Sequence, residues 1–371
     1  MKKTVMICLI SFLFTIAFCV PSFATERNQE EIWYADVWDA LDGRTREMLS
    51  DIGITRSVAD TLSDVNAKNV FAVISGIFRG ELTKPLSAAF MVLAVLLAVA
   101  FFSSFLADGK LKSLAGNIGT LSIVFLLLGL VSPMISSCVS AIELSKDFML
   151  ALIPVLGTVV AISGNPTLAL SFNSVVFSFA QGISVLYARL IPSFAAVGCA
   201  FSASTAINPM MKLSRLSQLV FKSATFIMAF ISGIFVAVLS VRGVIAGAAD
   251  TVTIRGLRFL IGSSVPVVGS AIAEALNSVV AGVGLIKNTI GVIGIAATLF
   301  INLPVLCEIV VWKAALYILS IFCDILSEDN ISSFLGSLNS VFSVLTAVIC
   351  FNMFVFIISI AIIFTMKASG G

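Results

Sequence analysis

The sequence contains no histidine and few charged residues: only 11% of its 371 residues are Asp, Glu, Lys or Arg, against about 25% in an average soluble domain. Without histidine the chain cannot form a Ser–His or Cys–His nucleophile pair, an HExxH zinc site or the usual proton shuttle at neutral pH. It also lacks a GxxxxGK[ST] phosphate loop, a GxSxG motif and an aspartate pair set in helices. These absences predict a protein that is not an enzyme and that has no catalytic, cofactor-binding or metal-binding residues.

Cysteine is sparse as well. Two of the seven cysteines lie in the N-terminal segment, and the other five are scattered through apolar sequence: Cys138, Cys199, Cys307, Cys323 and Cys350. No two cysteines have CxxC spacing. Because a free cysteine packs like a small hydrophobic residue, we expect these five to lie between helices.

Apolar residues are abundant instead. They make up 59% of the chain, and the mean hydropathy is +1.12. A soluble fold of this length could not bury so much apolar surface, so the composition predicts an all-α polytopic protein of the lipid bilayer. The net charge is only +2, and the charges are too sparse to form a basic face for nucleic acid.

The first 24 residues have the pattern of a secretory signal peptide. Lys2 and Lys3 precede an apolar stretch, and the sequence Pro21-Ser-Phe-Ala24 ends in a cleavage-type Ser-x-Ala. We therefore expect residues 1–24 to be removed and Thr25 onward to begin outside the membrane. An uncleaved anchor helix is the alternative, and it leaves Thr25 on the same side.

Residues 25–84 differ from the rest of the chain because they hold 11 of its 20 carboxylates. Apolar residues recur at helical spacing between Ile32 and Ile52, and Ser57–Asp60 has the pattern of a capping box. We predict a small external helical region that docks on the membrane domain or on a partner. Its dispersed acidic side chains are either a solvated face or a partner-binding surface.

Residues 85–371 are predicted to form the multi-span membrane domain. Six segments have the length and apolarity of a span: 86–107, 114–139, 168–187, 190–207, 223–241 and 341–365. Residues 148–163 are shorter and could be half of a re-entrant hairpin, and 289–325 is interrupted by polar residues. We expect seven or eight crossings. Residues 331–342 have one apolar face, which predicts a helix on the membrane surface or, alternatively, a buried helix.

A glycine-rich block occupies residues 241–294 and contains nine of the 25 glycines. Such residues let membrane helices approach closely. The chain is also interrupted around Pro266 and Gly269, which predicts a broken or re-entrant helix pair there. Ionisable residues lie in or beside this apolar sequence: Asp250, Arg255, Arg258, Glu274 and Lys287. They either mark helix ends at the interface or line a polar pathway or a subunit contact.

This block resembles the hallmark region of the stage III sporulation protein AE family of endospore-forming bacteria. The similarity rests on Asp250, Arg255, the Pro266-Val-Val-Gly269 turn, Glu274, and Lys287-Asn288 before Gly291-Val-Ile-Gly294. The order of signal peptide, polar external region and multi-span domain agrees too, so the resemblance covers nearly the whole chain. It assigns no role to Arg258 or to any other residue of the block.

The resemblance implies a place in the mother-cell membrane facing the forespore. It further implies partners: a secretion-type ATPase, ring-forming and membrane subunits, and a forespore-side protein, together regarded as a transenvelope channel or secretion-like complex needed for forespore development. The alternative function is a stand-alone small-solute permease, which would favour two similarly broken segments in the two halves of the chain. Pro154/Gly157 and Pro266/Gly269 are the candidates for such a pair.

Overall fold

The computed structural model describes residues 30–56, 67–105, 109–163, 165–207, 214–264, 269–326 and 329–365. These residues form helices, and no strand occurs among them. The helices in chain order are α1 (Glu30–Asp39), α2 (Gly43–Asp51), α3 (Ala67–Phe105), α4 (Gly109–Ile162), α5 (Pro166–Ile207), α6 (Ser214–Ser264), α7 (Gly269–Ile325) and α8 (Asp329–Thr365). The predicted signal peptide and the capping box at Ser57–Asp60 lie outside the described residues.

Helices α3 to α8 are each long and apolar enough to cross a membrane, which makes six candidate spans in the part of the chain that the structure describes. The all-α polytopic fold is therefore confirmed. The structure has fewer separate apolar helices than the sequence pattern suggests because two predicted pairs are continuous. Segments 114–139 and 148–163 are both parts of α4, and 168–187 and 190–207 are both parts of α5.

Charged residues separate the predicted segments of these continuous helices: Glu143, Lys146 and Asp147 lie between the two segments of α4, and Arg189 lies between those of α5. The helices also continue through internal prolines. Pro133 and Pro154 lie inside α4, and Pro192 lies inside α5. A proline removes one backbone hydrogen bond, but membrane helices tolerate it because nearby side chains satisfy the freed groups. The chain instead turns after Ile162, and α5 begins with Pro166 in a position that proline favours.

Consecutive helices from α3 to α6 run antiparallel, and close contacts fix their registers. A Cβ atom on Gly119 of α4 would overlap Val99 of α3, and one on Gly157 would overlap the amide of Asn173 on α5. Between α5 and α6, the hydroxyls of Tyr187 and Ser232 lie 2.9 Å apart. Glycine at position 157 is thus a close-approach residue within a continuous helix.

Helix α8 is the central element of the bundle, since it packs against α4, α5, α6 and α7. Its N-terminal part contains the stretch 331–342, whose apolar face was predicted to lie on the membrane surface or to be buried. That face is buried within the protein: Ile331, Phe334, Leu335, Leu338 and Phe342 are all at most 1% exposed. The ring of Trp312 on α7 stacks on Phe342 with centroids 6.0 Å apart, so this stretch belongs to the protein core.

Helices α1 and α2 pack against the side of the bundle formed by α3, α4 and α7. Asp42 caps α2 by accepting a hydrogen bond from the backbone N–H of Thr45 at 3.2 Å. Apolar side chains of these two helices and of the residues that follow them face inward and are buried: Tyr34, Val37, Leu41, Met48, Leu49 and Ile52. Helix α3 continues through Pro85, so the expected boundary between an external region and the membrane domain at residue 84 falls within one helix.

Candidate functional site

The residues of the glycine-rich block lie on two helices. Asp250 is at the beginning of the last third of α6, with Arg255 and Arg258 further along the same helix. Gly269, Glu274 and Lys287 belong to α7. Pro266 lies outside the described residues, as do the side chains of residues 253–288. Helices α6 and α7 are separate elements that end and begin on either side of 265–268. Whether the pair is re-entrant stays a prediction.

Asp250 is the residue of this block whose environment the structure describes, and its carboxylate is 2% exposed. One carboxylate oxygen accepts from the backbone N–H of Thr167 at 3.1 Å, and the other accepts from the backbone N–H of Leu168 at 2.8 Å. Both donors are in the first turn of α5. Asp250 of α6 therefore caps the N-terminus of a helix that lies more than 80 positions earlier in the chain.

The local sequence explains why a distant carboxylate is used. The first N–H groups of a helix have no partner within the helix, and a side chain just before it normally accepts from them. Asn165 is in that place, but its side-chain amide donates to the carbonyl of Ser163 at 3.3 Å. Asp250 accepts instead, and the partial positive charge at the start of α5 stabilises its negative charge. The contact joins the glycine-rich block to the turn between α4 and α5.

Beside this joint, a small cavity of about 10 Å³ opens between α5, α6 and α8. Arg242 and Gly243 line it from α6, two turns before Asp250, opposite Phe172 and Ile362. Arg242 is exposed, so this basic side chain lies at the surface rather than beside the buried carboxylate. A volume of this size holds one water molecule and no larger solute.

A second polar contact, between side chains of α2 and α3, links the N-terminal helices to the bundle. Arg44 of α2 donates to Glu81 of α3 at 2.6 Å, and only 13% of the Glu81 side chain is exposed. Glu308 of α7 is close enough to interact electrostatically with Glu81, Lys84 and Arg44. In the sequence, Glu308 is one of the polar residues that interrupt the apolar segment 289–325. Residues so far apart in the chain show no sequence signal of their contact.

Buried polar side chains also connect the spans. The amide nitrogen of Asn302 on α7 donates to the hydroxyl of Ser145 on α4 at 2.8 Å. Serine and asparagine are frequent enough in membrane helices that sequence reasoning passed over both residues. Among the described residues, no group of three Cys, Asp or Glu side chains is placed to hold a metal ion.

Comparison with known proteins gives one consistent result. The family model described as stage III sporulation protein AE matches residues 54–367. The stage III sporulation protein AE of Bacillus subtilis (strain 168) is 28% identical over 207 residues, which is 56% of this chain and 51% of that protein. The chain thus spans about half the length of the curated relative it matches. No solved structure matches it.

Proposed function

The chain belongs to the stage III sporulation protein AE family, and we propose that it is a non-enzymatic membrane subunit of a sporulation-specific channel or secretion-like complex between mother cell and forespore. Its membership makes it a sporulation protein, and its six apolar helices make it a membrane protein. We further propose that its partners are the other stage III subunits and a forespore-side protein, and that it lies in the mother-cell membrane.

The length of the bundle helices is the structural observation that carries this proposal. Helix α4 has 54 residues and α7 has 57, so each extends about 80 Å at about 1.5 Å per residue. About 20 residues suffice to cross the hydrocarbon core of about 30 Å. The bundle therefore offers helical surface beyond the bilayer, as a subunit that contacts neighbours on the membrane requires.

The N-terminal helices supply the most polar of these surfaces. Their apolar side chains face the bundle, so the acidic side chains of Asp36, Glu47 and Asp51 are left exposed on the outward side. We propose that this acidic face, defined by these three residues, binds a basic surface of another subunit of the complex on the outer side of the membrane. Electrostatic complementarity of this kind mainly sets partner choice and association rate.

The test is co-purification of the tagged full chain from sporulating cells. The wild-type chain is expected to retain the other stage III subunits, and Asp36→Lys/Glu47→Lys/Asp51→Lys to retain at least about tenfold less of one of them, because each change turns an attraction into a repulsion. Asp324→Lys, an exposed carboxylate at the C-terminal end of α7, is the matched control. Equal recovery of the other subunits with all three chains would show that the acidic face is not part of the interface.

The stand-alone permease remains the alternative function. A transporter built from repeats favours similarly broken helices in its two halves. The first of the two candidate breaks, Pro154/Gly157, lies within the continuous helix α4, which favours the subunit over the permease. The purified chain alone in liposomes is expected to show no solute uptake above empty liposomes. Uptake by the isolated chain, together with failure to co-purify any partner, would reverse this preference.

We also propose that Glu274 and its charged neighbours in the glycine-rich block form a subunit contact or a polar pathway, since ionisable groups in apolar helices are generally paired or face water. Replacement Glu274→Gln keeps the size and removes the charge. It is expected to reduce spore formation at least about a hundredfold while the chain still accumulates in the membrane. Normal spore counts with normal accumulation would leave Glu274 as a marker of a helix end.

A further inference from the structure

Five helices of the bundle, α4 to α8, each have a buried polar side chain at the same height, that is, at the same level along the bundle axis. Two contacts set this height directly: Asn302 of α7 with Ser145 of α4 at 2.8 Å, and Tyr187 of α5 with Ser232 of α6 at 2.9 Å. All four residues are at most 2% exposed. We call this set, together with Ser184 and Asn352, the polar layer.

Two flanking contacts place Asn352 of α8 at the height of Asn302. On one side, the ammonium of Lys313 on α7 donates to the hydroxyl of Ser343 on α8 at 3.0 Å. On the other side, a Cβ atom on Gly294 of α7 would lie 3.2 Å from the side chain of Ile360 on α8. In an antiparallel pair with these two contacts, position 352 lies opposite position 302.

The packing of α8 on α5 gives the same height for Ser184. A Cβ atom on Gly198 of α5 would lie 3.4 Å from Val341 of α8, and Phe172 and Ile362 line the same small cavity further along this pair. The register between these points sets Asn352 opposite the turn of α5 that contains Ser184. Tyr187 lies on the same face of α5, one turn later.

Several atoms of the polar layer have no hydrogen-bond partner in the protein. They are the hydroxyl of Ser184, the side-chain oxygen of Asn302, and both the oxygen and the nitrogen of the Asn352 amide. Asn302 and Asn352 are fully buried, and Ser184 is 2% exposed. Buried polar atoms without partners are costly and rare in proteins, and bound water is what commonly satisfies them.

The outer surface at this height is charged. On α4, the exposed Glu143 and an ion pair between Lys146 and Asp147 at 3.2 Å lie on either side of Ser145. On α5, the exposed Arg189 follows Tyr187 by two positions. Exposed charges of this kind are strongly disfavoured in hydrocarbon and are generally paired or face water, so this surface offers a route by which water reaches the polar layer.

From these observations we propose that the polar layer is a water-binding site inside the bundle, supplied from the charged surface around it. Water fits the free atoms better than a cation does, because the nitrogen of Asn352 is a donor and the layer contains no carboxylate. Water bound to Ser184, Asn302 and Asn352 makes a wet plane between two dry parts of the core. This proposal does not depend on the role in a channel complex.

Thiol labelling in intact membranes tests the proposal, since methanethiosulfonates react with the thiolate, which forms in water and not in a dry core. The background is a chain with all seven cysteines replaced by alanine, which includes the exposed Cys350 two positions before Asn352. The reporters are Ser184→Cys, nearly the same size as the native residue, and Asn352→Cys. The probe is 2-aminoethyl methanethiosulfonate, and labelling after denaturation gives the maximum signal.

The matched control is Ser359→Cys. Ser359 is fully buried on the same helix as Asn352, two turns away, and its hydroxyl is satisfied by the carbonyl of Val355 at 2.7 Å. Both reporters are expected to react at least about tenfold faster than the control, in chains that elute like the wild type on size exclusion. Reporters that react no faster than Ser359→Cys would show a dry layer and overturn the proposal, and if one reporter elutes abnormally the other decides.

Discussion

Asp250→Ala is expected to cause the largest loss of stability and of spore formation among single substitutions at described residues of the glycine-rich block. The change leaves the N–H groups of Thr167 and Leu168 without an acceptor at a buried helix start. Loss of a cap costs about 0.5–2 kcal/mol, and each unsatisfied buried group about 1–3 kcal/mol, so we expect a loss of about 2–4 kcal/mol. Thermal unfolding of the purified chain in detergent measures it.

Two further variants distinguish the capping role of the Asp250 carboxylate from the effect of side-chain size and from the loss of any carboxylate. Asp250→Asn keeps one acceptor oxygen but places an amide N–H against a helix N–H and loses the favourable charge at the start of α5. It should therefore cost about 1–2 kcal/mol. Asp324→Ala removes an exposed carboxylate and should change the stability by less than about 0.5 kcal/mol. An unfolding temperature of Asp250→Ala equal to that of Asp324→Ala would contradict the capping role.

The spore phenotype should follow the same order, because Asp250 joins the glycine-rich block to the turn between α4 and α5. A chain in which this joint is broken is expected to accumulate less and to support few spores. If Asp250→Asn accumulates normally yet forms no spores, the charge of Asp250 has a role beyond holding the helix. The hydrogen-bonding geometry alone does not require such a role.

Gly157→Leu is expected to have the second largest effect. A Cβ atom at this position overlaps the Asn173 side chain of α5, so a larger residue must displace that side chain or push α4 and α5 apart. Overpacking typically costs about 1–3 kcal/mol and sometimes more. We expect Gly157→Leu to lower the unfolding temperature in detergent and the amount of folded chain, and Gly157→Ala to do so to a smaller degree.

A double-substitution cycle identifies the cause. Asn173→Ala removes the atoms that a side chain at position 157 would overlap, so Gly157→Ala should be less damaging in the Asn173→Ala chain than in the wild type, by about 1 kcal/mol. Gly182→Ala is the matched control, because no atom lies within 4 Å of its added Cβ. It should be neutral or slightly stabilising, since alanine is the better helix former. Additive effects of positions 157 and 173 would mean that they do not contact each other.

Much of the molecule could be predicted from the sequence because its strongest signals are local. Scarce charge, high hydropathy and apolar runs longer than about 20 residues predict membrane helices without any knowledge of tertiary contacts. The glycine-rich block at residues 241–294 also belongs to this part: its arrangement of charges, glycines and proline resembles the hallmark region of the family, and the match over residues 54–367 confirms the family. The apolar face of residues 331–342 was likewise readable from helical spacing.

Other features could be recognised only in the folded structure. Residues 148–163, which contain Pro154, were predicted as a separate short segment, but they continue α4 without a break, because a single residue's preference is outweighed by packing. Asp250 was recognisable as a candidate, yet its role depends on two N–H groups on another helix that no spacing rule connects to it. The same is true of Arg44 with Glu81 and of the polar layer.

The sequence by itself thus determined that the chain crosses a membrane with helices and which family it belongs to. Both follow from hydropathy and local motifs, which depend only on residues close together in the sequence. Only the tertiary structure decided which polar groups meet. Hydrogen bonds and ion pairs form across helices, and their partners depend on how antiparallel helices are placed against one another. That placement arises from contacts such as those of Gly157 and Gly198, which lie far apart in the sequence from the residues they touch.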